Sequence, residues 1–192
     1  MARGFVEQAD RAAFEKPTLA GLHHPSTLPG ASDAAIRLVE AVRSGRSIAI
    51  FGDYDVDGIM SSAILHHVIT LVDPECTPRL YVPHRVDEGY GLNIGAIDRL
   101  AEEGVDLIIS VDCGITAFAE CARARELGVE LIITDHHAFA RDADGAVQLP
   151  EPDLLVHPMR PDSPAPFTDL CGAGVVLKLA WAFLERWCNS KR

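Results

Sequence analysis

The sequence predicts an α/β fold, a parallel sheet with helices packed on both faces. Short apolar runs without polar alternation recur along the chain, the pattern of strands buried on both sides. Helical stretches of about a dozen residues separate those runs, as crossover connections between parallel strands require. Hydrophobic residues make up 48% of the 192 positions and charged residues 23%, which suits one globular domain able to bury a full core. The expected architecture is Rossmann-like.

Each element has its own justification. Residues 1–30 read as an irregular N-terminal arm, interrupted by Pro17, Pro25 and Pro29. A helix is expected from Ser32 to about Arg43, stopped by Ser44-Gly45. Residues 47–51 then form an apolar strand, and a helix follows from Gly58 to about Leu71, ahead of Pro74. Arg79–Pro83 reads as a second strand, and Asn93–Glu103 as a helix ended by Gly104. Asp106–Val111 is a third strand, Thr116–Leu127 a helix ended by Gly128, and Glu130–Thr134 a fourth strand. Residues 138–168 read as connection rich in Pro, Asp and Ala, with one short apolar segment at 154–156 and a candidate break at 158–168. From Asp169 the chain is helical again to about Cys188, with Trp181 and Trp187 assigned to the core.

Several classes are disfavoured. No run approaches 18 apolar residues, so no membrane-spanning helix is expected. The opening segment lacks the apolar stretch of a signal peptide. Five cysteines, an odd number without a CxxC pair, argue against a disulfide framework or a zinc finger and for a reduced cytoplasmic compartment. The net charge of −11 disfavours nucleic acid as a partner, unless the acids gather around metal ions that reverse the local sign.

The acids do gather. In a parallel sheet, ligands bind beyond the carboxyl ends of the strands. Asp53, Asp55 and Asp57 follow the first strand, Asp112 the third, and Asp135-His136-His137 the fourth. Spacing two lets the first three share a face while the chain stays extended. Crowded carboxylates need a counter-charge to ionise together. Oxygen ligands with one or two imidazoles and no thiolate favour Mn²⁺ or Mg²⁺. A shared carboxylate can bridge two ions about 3.5–4 Å apart, the spacing that suits phosphoryl chemistry. Singly, each acid reads as a turn former or helix cap; three such coincidences at three strand ends argue for a site.

Competing motifs fail. DYDVDG opens like an EF-hand loop, but the twelfth position, which needs Glu, is Ile64. An aspartyl-phosphate hydrolase would use Asp55 as nucleophile and has no use for Asp-His-His. No phosphate-binding glycine loop precedes a helix, and Gly172-Ala173-Gly174 is too little for a dinucleotide site.

GDYDVDG, VDCG and TDHH, in this order and spacing, resemble the DHH phosphoesterases, and more narrowly the single-strand-specific exonucleases of RecJ type. Pro83-His84-Arg85, Glu88–Asn93 and Leu170–Val175 add to the match, which spans about residues 30–185. The resemblance implies a DHH domain over 31–192. It implies metal binding by Asp55, Asp57, Asp112 and His136, with Asp53 beside them and Asp112 bridging. It places His137 at the scissile phosphate, with Asp112, His136 and His137 as the catalytic set. Arg85 becomes a candidate phosphate clamp, since its fork matches phosphate; a surface ion pair with Asp87 or Glu88 is the competing reading. The implied cofactors are two Mn²⁺ (or Mg²⁺) ions, and the implied partner is single-stranded DNA, degraded from the 5′ end in repair and recombination.

Two departures qualify the match. Many members carry a metal-binding His where this chain has Phe51. The family's fourth motif, whose Asp completes the second metal site, is absent, and so is a C-terminal substrate-binding domain. The resemblance therefore implies a chain incomplete at its C-terminus. Short oligonucleotides or cyclic dinucleotides are the alternative substrates, and a non-catalytic binding module is the alternative of another class.

Overall fold

The computed structural model describes residues 7–162 and 165–189. Helices α1 (Gln8–Glu15) and α2 (Ala31–Arg43) precede strand β1 (Ile48–Gly52). Helix α3 (Val56–Val72), strand β2 (Arg79–Tyr81), helix α4 (Ile94–Glu102), strand β3 (Leu107–Val111), helix α5 (Phe118–Leu127) and strand β4 (Glu130–Thr134) follow in alternation. A small antiparallel ribbon, β5 (Ala140–Arg141) with β6 (Val147–Gln148), leads to β7 (Leu154–Val156) and the last helix, α6 (Gly172–Asn189).

The main sheet has the order β2-β1-β3-β4-β7, and every pairing in it is parallel. From β1 the chain steps outward to β2, then crosses to the other side of β1 to form β3. That reversal is the switch point at which a doubly wound sheet opens a crevice. It lies between the carboxyl ends of β1 and β3, where the acid motifs were expected.

Successive residues of each central strand feed opposite layers, as the two-residue period of a strand dictates. Ile48, Ile50, Leu107, Ile109, Val111, Ile132 and Val156 pack with α2, α3 and α6. Ala49, Phe51, Ile108, Leu131 and Ile133 pack with α4 and α5. β1 and β3 are buried at every position, which is why they read as unbroken apolar runs. Phe51 is fully buried in the second layer and stacks on Tyr81, ring centroids 5.2 Å apart.

The structure corrects three expectations. Residues 1–30 are not irregular throughout: among those described, 8–15 form α1, and residues 19–21 and 25–27 form single 3₁₀ turns. Leu28 is buried, and the main-chain oxygens of His23 and Pro29 accept hydrogen bonds from Lys178 Nζ and the His157 amide. Residues 25–30 pack on the domain, whereas residues 14–24 are exposed. Second, the short apolar segment at 154–156 is an edge strand of the main sheet. Third, the final helix begins at Gly172, since Asp169–Cys171 lie outside it. Ser163 and Pro164 of the proline-rich connection and residues 190–192 lie outside the described residues. Trp187 joins the core as expected, whereas Trp181 is half-buried at the side, its indole N–H donating to Glu185 at 2.8 Å. No helix among the described residues is long and apolar enough to cross a membrane.

Candidate metal centre

Three turns build the site. The first follows β1. Asp53 is buried, and its Oδ1 accepts the Tyr54 amide at 2.7 Å. Asp55 caps α3, accepting the Gly58 amide at 2.9 Å. Gly58 is required here: a Cβ would stand 2.5 Å from the Asp53 carbonyl oxygen. Asp57 lies in the first turn of α3 and reaches across to α6, accepting the amides of Gly172 and Ala173 at 3.0 Å each. It thereby satisfies two of the amide donors that every helix start leaves open. The three acids do not share one extended face, because the helix begins at Val56 and turns Asp57 away. Burial pushes the Asp57 carboxyl up, but bonds from Ala173, Cys171 and Gly172 outweigh it and hold the group below the ordinary range.

The second turn follows β3. Asp112 has φ 62°, the only described non-glycine residue with a positive φ. Such a conformation strains most side chains, though Asp tolerates it better than bulky ones. The Asp112 amide donates to Thr134 O at 2.9 Å, and Ser110 Oγ donates to Cys113 O beneath the turn. The carboxylate is 1% exposed, and its Oδ1 has no hydrogen bond. His136 Nε2 lies 3.1 Å from that oxygen but out of hydrogen-bonding geometry. Burial, then the charges of Asp57 and Asp55, push the Asp112 carboxyl up to about 7. α6 presses on it closely: a Cβ on Gly172 would sit 2.0 Å from Asp112 Oδ1, so only glycine fits there.

The third turn follows β4. Asp135 is buried, and its Oδ1 accepts the amides of His136 and His137 and faces His137 Nδ1 at 2.7 Å. Its Oδ2 accepts the Ile115 amide at 2.9 Å. Burial is again outweighed, so the carboxyl sits below the ordinary range. The bond to Asp135 raises the pKa of His137, against burial. Asp135 is therefore fully engaged inside the protein, and it aims the two imidazoles.

Two donor sets result. Oxygens of Asp53, Asp55 and Asp112 lie within 4.8 Å of one another, and so do atoms of Asp112, His136 and His137. Asp112 belongs to both. Asp57 stands beside them, 3.9 Å from His136 Nε2, its oxygens held by α6. All donors are carboxylate oxygen or imidazole nitrogen, the set hard divalent ions take. A buried carboxylate oxygen without a hydrogen-bond donor, in a cluster of like charges, fits a cation.

Arg85 stands at the rim, its guanidinium 5.2 Å from the Tyr54 ring centroid. Asp87 pairs with His84, and Glu88 with the Tyr81 hydroxyl and Arg99, so neither engages Arg85. Tyr54 meets Tyr90 edge-on at 6.2 Å, and the Tyr90 hydroxyl lies 3.5 Å from His137 Nε2. Sequence reasoning placed Tyr90 and Gly172 in segments that add to the resemblance without naming their partners, and it missed the anchoring role of Asp135. The Asp-His-His spelling hinted at that role.

Comparison with known proteins now bears on the same residues. Residues 47–191 match the DHH family, N-terminal domain. The chain belongs to the DHH family. This DHH domain is 37% identical over 182 residues to the single-stranded-DNA-specific exonuclease RecJ of Bacillus subtilis, covering 95% of this chain. It is 41% identical over 162 residues to the RecJ of Thermus thermophilus, covering 83% of this chain. The chain spans 22% of the length of each of those relatives. A crystal structure of exonuclease RecJ bound to manganese superposes with a TM-score of 0.71 at 39% identity, covering 83% of this chain and 38% of that one.

Proposed function

We propose that this chain carries the metal site of a RecJ-type exonuclease, which hydrolyses phosphodiester bonds of single-stranded DNA from the 5′ end. One observation carries the reading: the buried, unbonded Oδ1 of Asp112, in a carboxylate shared by two donor sets. The similarity to RecJ proteins, one of them solved with manganese, supports the substrate and the metal. Asp53, Asp55, Asp112 and His136 would hold two Mn²⁺ or Mg²⁺ ions, with Asp57 alongside. When bound, such ions acidify water and stabilise charge developing on phosphate.

The chain's own residues do the rest. Asp112 is common to both donor sets, and its Oδ1 has no hydrogen bond to break first. Asp135 fixes the ring of His137, whose raised pKa favours the charged imidazolium that a phosphate oxygen attracts. Arg85, free of Asp87 and Glu88, presents a second cation at the rim. Tyr54 and Tyr90 supply aromatic faces on which unpaired bases can stack. The five free cysteines fit a reducing, cytoplasmic setting.

The test is hydrolysis of a 5′-phosphorylated, 3′-labelled single-stranded oligonucleotide with Mn²⁺, beside an Asp112→Ala control. Metal-dependent shortening that the control lacks supports the reading. Activity surviving in the control above a few per cent would remove Asp112 from its bridging role.

A further inference from the structure

The connection after β4 hides a residue to which nothing above gives a task. His157 follows β7 directly and is 0% exposed. Its Nε2 lies 2.9 Å from the carbonyl oxygen of His137, and its Nδ1 lies 3.1 Å from the amide of Met159. An amide can only donate, so Nδ1 is the acceptor and the ring proton sits on Nε2. That proton is donated to the His137 carbonyl. The ring also packs against Phe139, centroids 4.5 Å apart.

The neighbouring backbone shows why this matters. Beyond the last β4–β7 pairing, the Asp135 amide donates to Val156 O at 3.1 Å. From there the chain must turn sharply, sending His136 toward Asp112 and His137 toward Tyr90. The Asp135 side chain holds the amide side of both histidines. On the far side of the turn, the bond from His157 holds the carbonyl of His137. Among the described residues, that carbonyl has no other hydrogen-bond donor.

We propose that His157 is a positioning residue for the His136-His137 turn, acting through the His137 carbonyl from beneath the metal centre. The inference rests on the reading of that centre as a metal site. Outer partners of ligands typically set metal affinity by about 10–100-fold.

Two variants separate the two bonds of the ring. His157→Gln keeps an N–H near the position of Nε2 and loses the acceptor for Met159. His157→Asn keeps an acceptor near the position of Nδ1 and loses the N–H. Mn²⁺ titration of the chain, followed by calorimetry, should give about tenfold weaker binding for His157→Asn. His157→Gln should stay near the parent. Thermal unfolding of both variants reports any general loss of packing. Equal weakening in both, tracking their melting temperatures, would make His157 a core residue and overturn the proposal, as would no weakening in either.

A second readout needs no metal. The ring nitrogen signals of His136 and His137 in NMR spectra of the metal-free chain should move in His157→Asn and stay in place in His157→Gln. The His157 ring of the parent should show its proton on Nε2. A proton on Nδ1, or His136 and His137 signals unmoved in His157→Asn, would overturn the proposal. If the parent chain binds no Mn²⁺, the reading of the metal centre fails, and these signals judge the role of His157 alone.

Discussion

Glu130 and Asp112 stand at opposite ends of adjacent strands, and the protein treats them in opposite ways. Glu130 opens β4. Arg37 and Arg46 grip both its oxygens, one bond from Arg37 Nη2 being 2.7 Å long. Arg46 also bonds the carbonyl of Asp106, whose side chain accepts the Ser47 amide. Burial raises the Glu130 carboxyl, and the two arginines more than reverse it. Asp112 follows β3 at the other end, more deeply buried, with no arginine, an unbonded oxygen and a positive φ. Both residues are acids at the ends of apolar strands. At one end of the sheet the charge is satisfied by the chain; at the other it is left for something the chain does not contain. The proposed function lies at the end where satisfaction is withheld.

The largest expected effect breaks this contrast at its functional end. Asp112→Ala removes the one carboxylate common to both donor sets. Loss of Mn²⁺-dependent hydrolysis should exceed ~100-fold, the upper range for residues that only support a ligand. Glu130→Ala should leave Mn²⁺ affinity unchanged. It should lower stability by about 1–2 kcal/mol, below the 3–5 typical when a fully buried pair is broken, because the released arginines reach water. Calorimetric Mn²⁺ titration and thermal melts of the two variants check both halves. A Glu130 variant that loses metal binding would dissolve the distinction between the ends.

The next effect is steric. Gly172→Ala thrusts a methyl group against the Asp112 side chain, 2.0 Å from Oδ1 and 2.9 Å from its Cβ, where the buried carboxylate has little room to yield. We expect a loss of about 1–3 kcal/mol, the usual range for overpacking, together with weaker Mn²⁺ binding. Gly95→Ala, in the first turn of α4, where a Cβ meets only an ordinary contact at 3.6 Å, controls for a glycine substitution at a helix start without that clash. Equal metal affinity in Gly172→Ala and the parent would mean that the fit of α6 against Asp112 is structural only.

Acid sharpens the comparison by sign. Glu130 has a lowered folded pKa, so its stabilisation is present above the unfolded value of about 4.3 and is lost as pH falls through the folded value. Asp112 has a raised folded pKa of about 7. The folded metal-free chain therefore holds this proton more tightly than the unfolded chain does. Its ionisation destabilises the fold progressively as pH rises from about 4 to 7, and the penalty is constant above that. Asp112→Asn should abolish that descent and raise the melting temperature of the metal-free chain near pH 7.5. Asn also accepts the positive φ. A parent stability curve equally steep in Asp112→Asn would assign the slope to other groups.

These contrasts also explain what the sequence disclosed. The three central strands β1, β3 and β4 were legible because burial on both faces removes alternation, and the acid clusters were legible because they abut those strands. β7 is three residues in a tract of Pro and Asp, too short for any period to register. Without β7, His157 cannot be seen to lie under the Asp-His-His turn. Asp57 looked like a third member of an extended row. Its actual partners, Gly172 and Ala173, lie 115 and 116 positions away. The packed stretch before α2 carries only short turns and proline, which locally resemble a loose arm. Apart from Asp135, whose partners include the adjacent His136 and His137, what stayed hidden was set by a partner distant in the chain.

The smallest effect concerns Tyr90 and shows where the functional end stops. Its hydroxyl lies 3.5 Å from His137 Nε2, the outer limit of a hydrogen bond. The opposite nitrogen of that ring already faces Asp135 at 2.7 Å. One strong anchor fixes an imidazole, and a long second contact adds little to it. A neutral bond of ordinary length contributes about 0.5–1.5 kcal/mol net, so this one should fall at or below the lower end. Tyr90→Phe keeps the ring against Tyr54 and should reduce turnover of the labelled oligonucleotide by about twofold. Tyr90→Ala, which removes the ring, should instead raise KM, because a stacking face is lost while the His137 anchor stays intact. If Tyr90→Phe fell tenfold in kcat with KM unchanged, the hydroxyl would be acting on the reacting phosphate, and the functional end of the sheet would extend beyond its three turns.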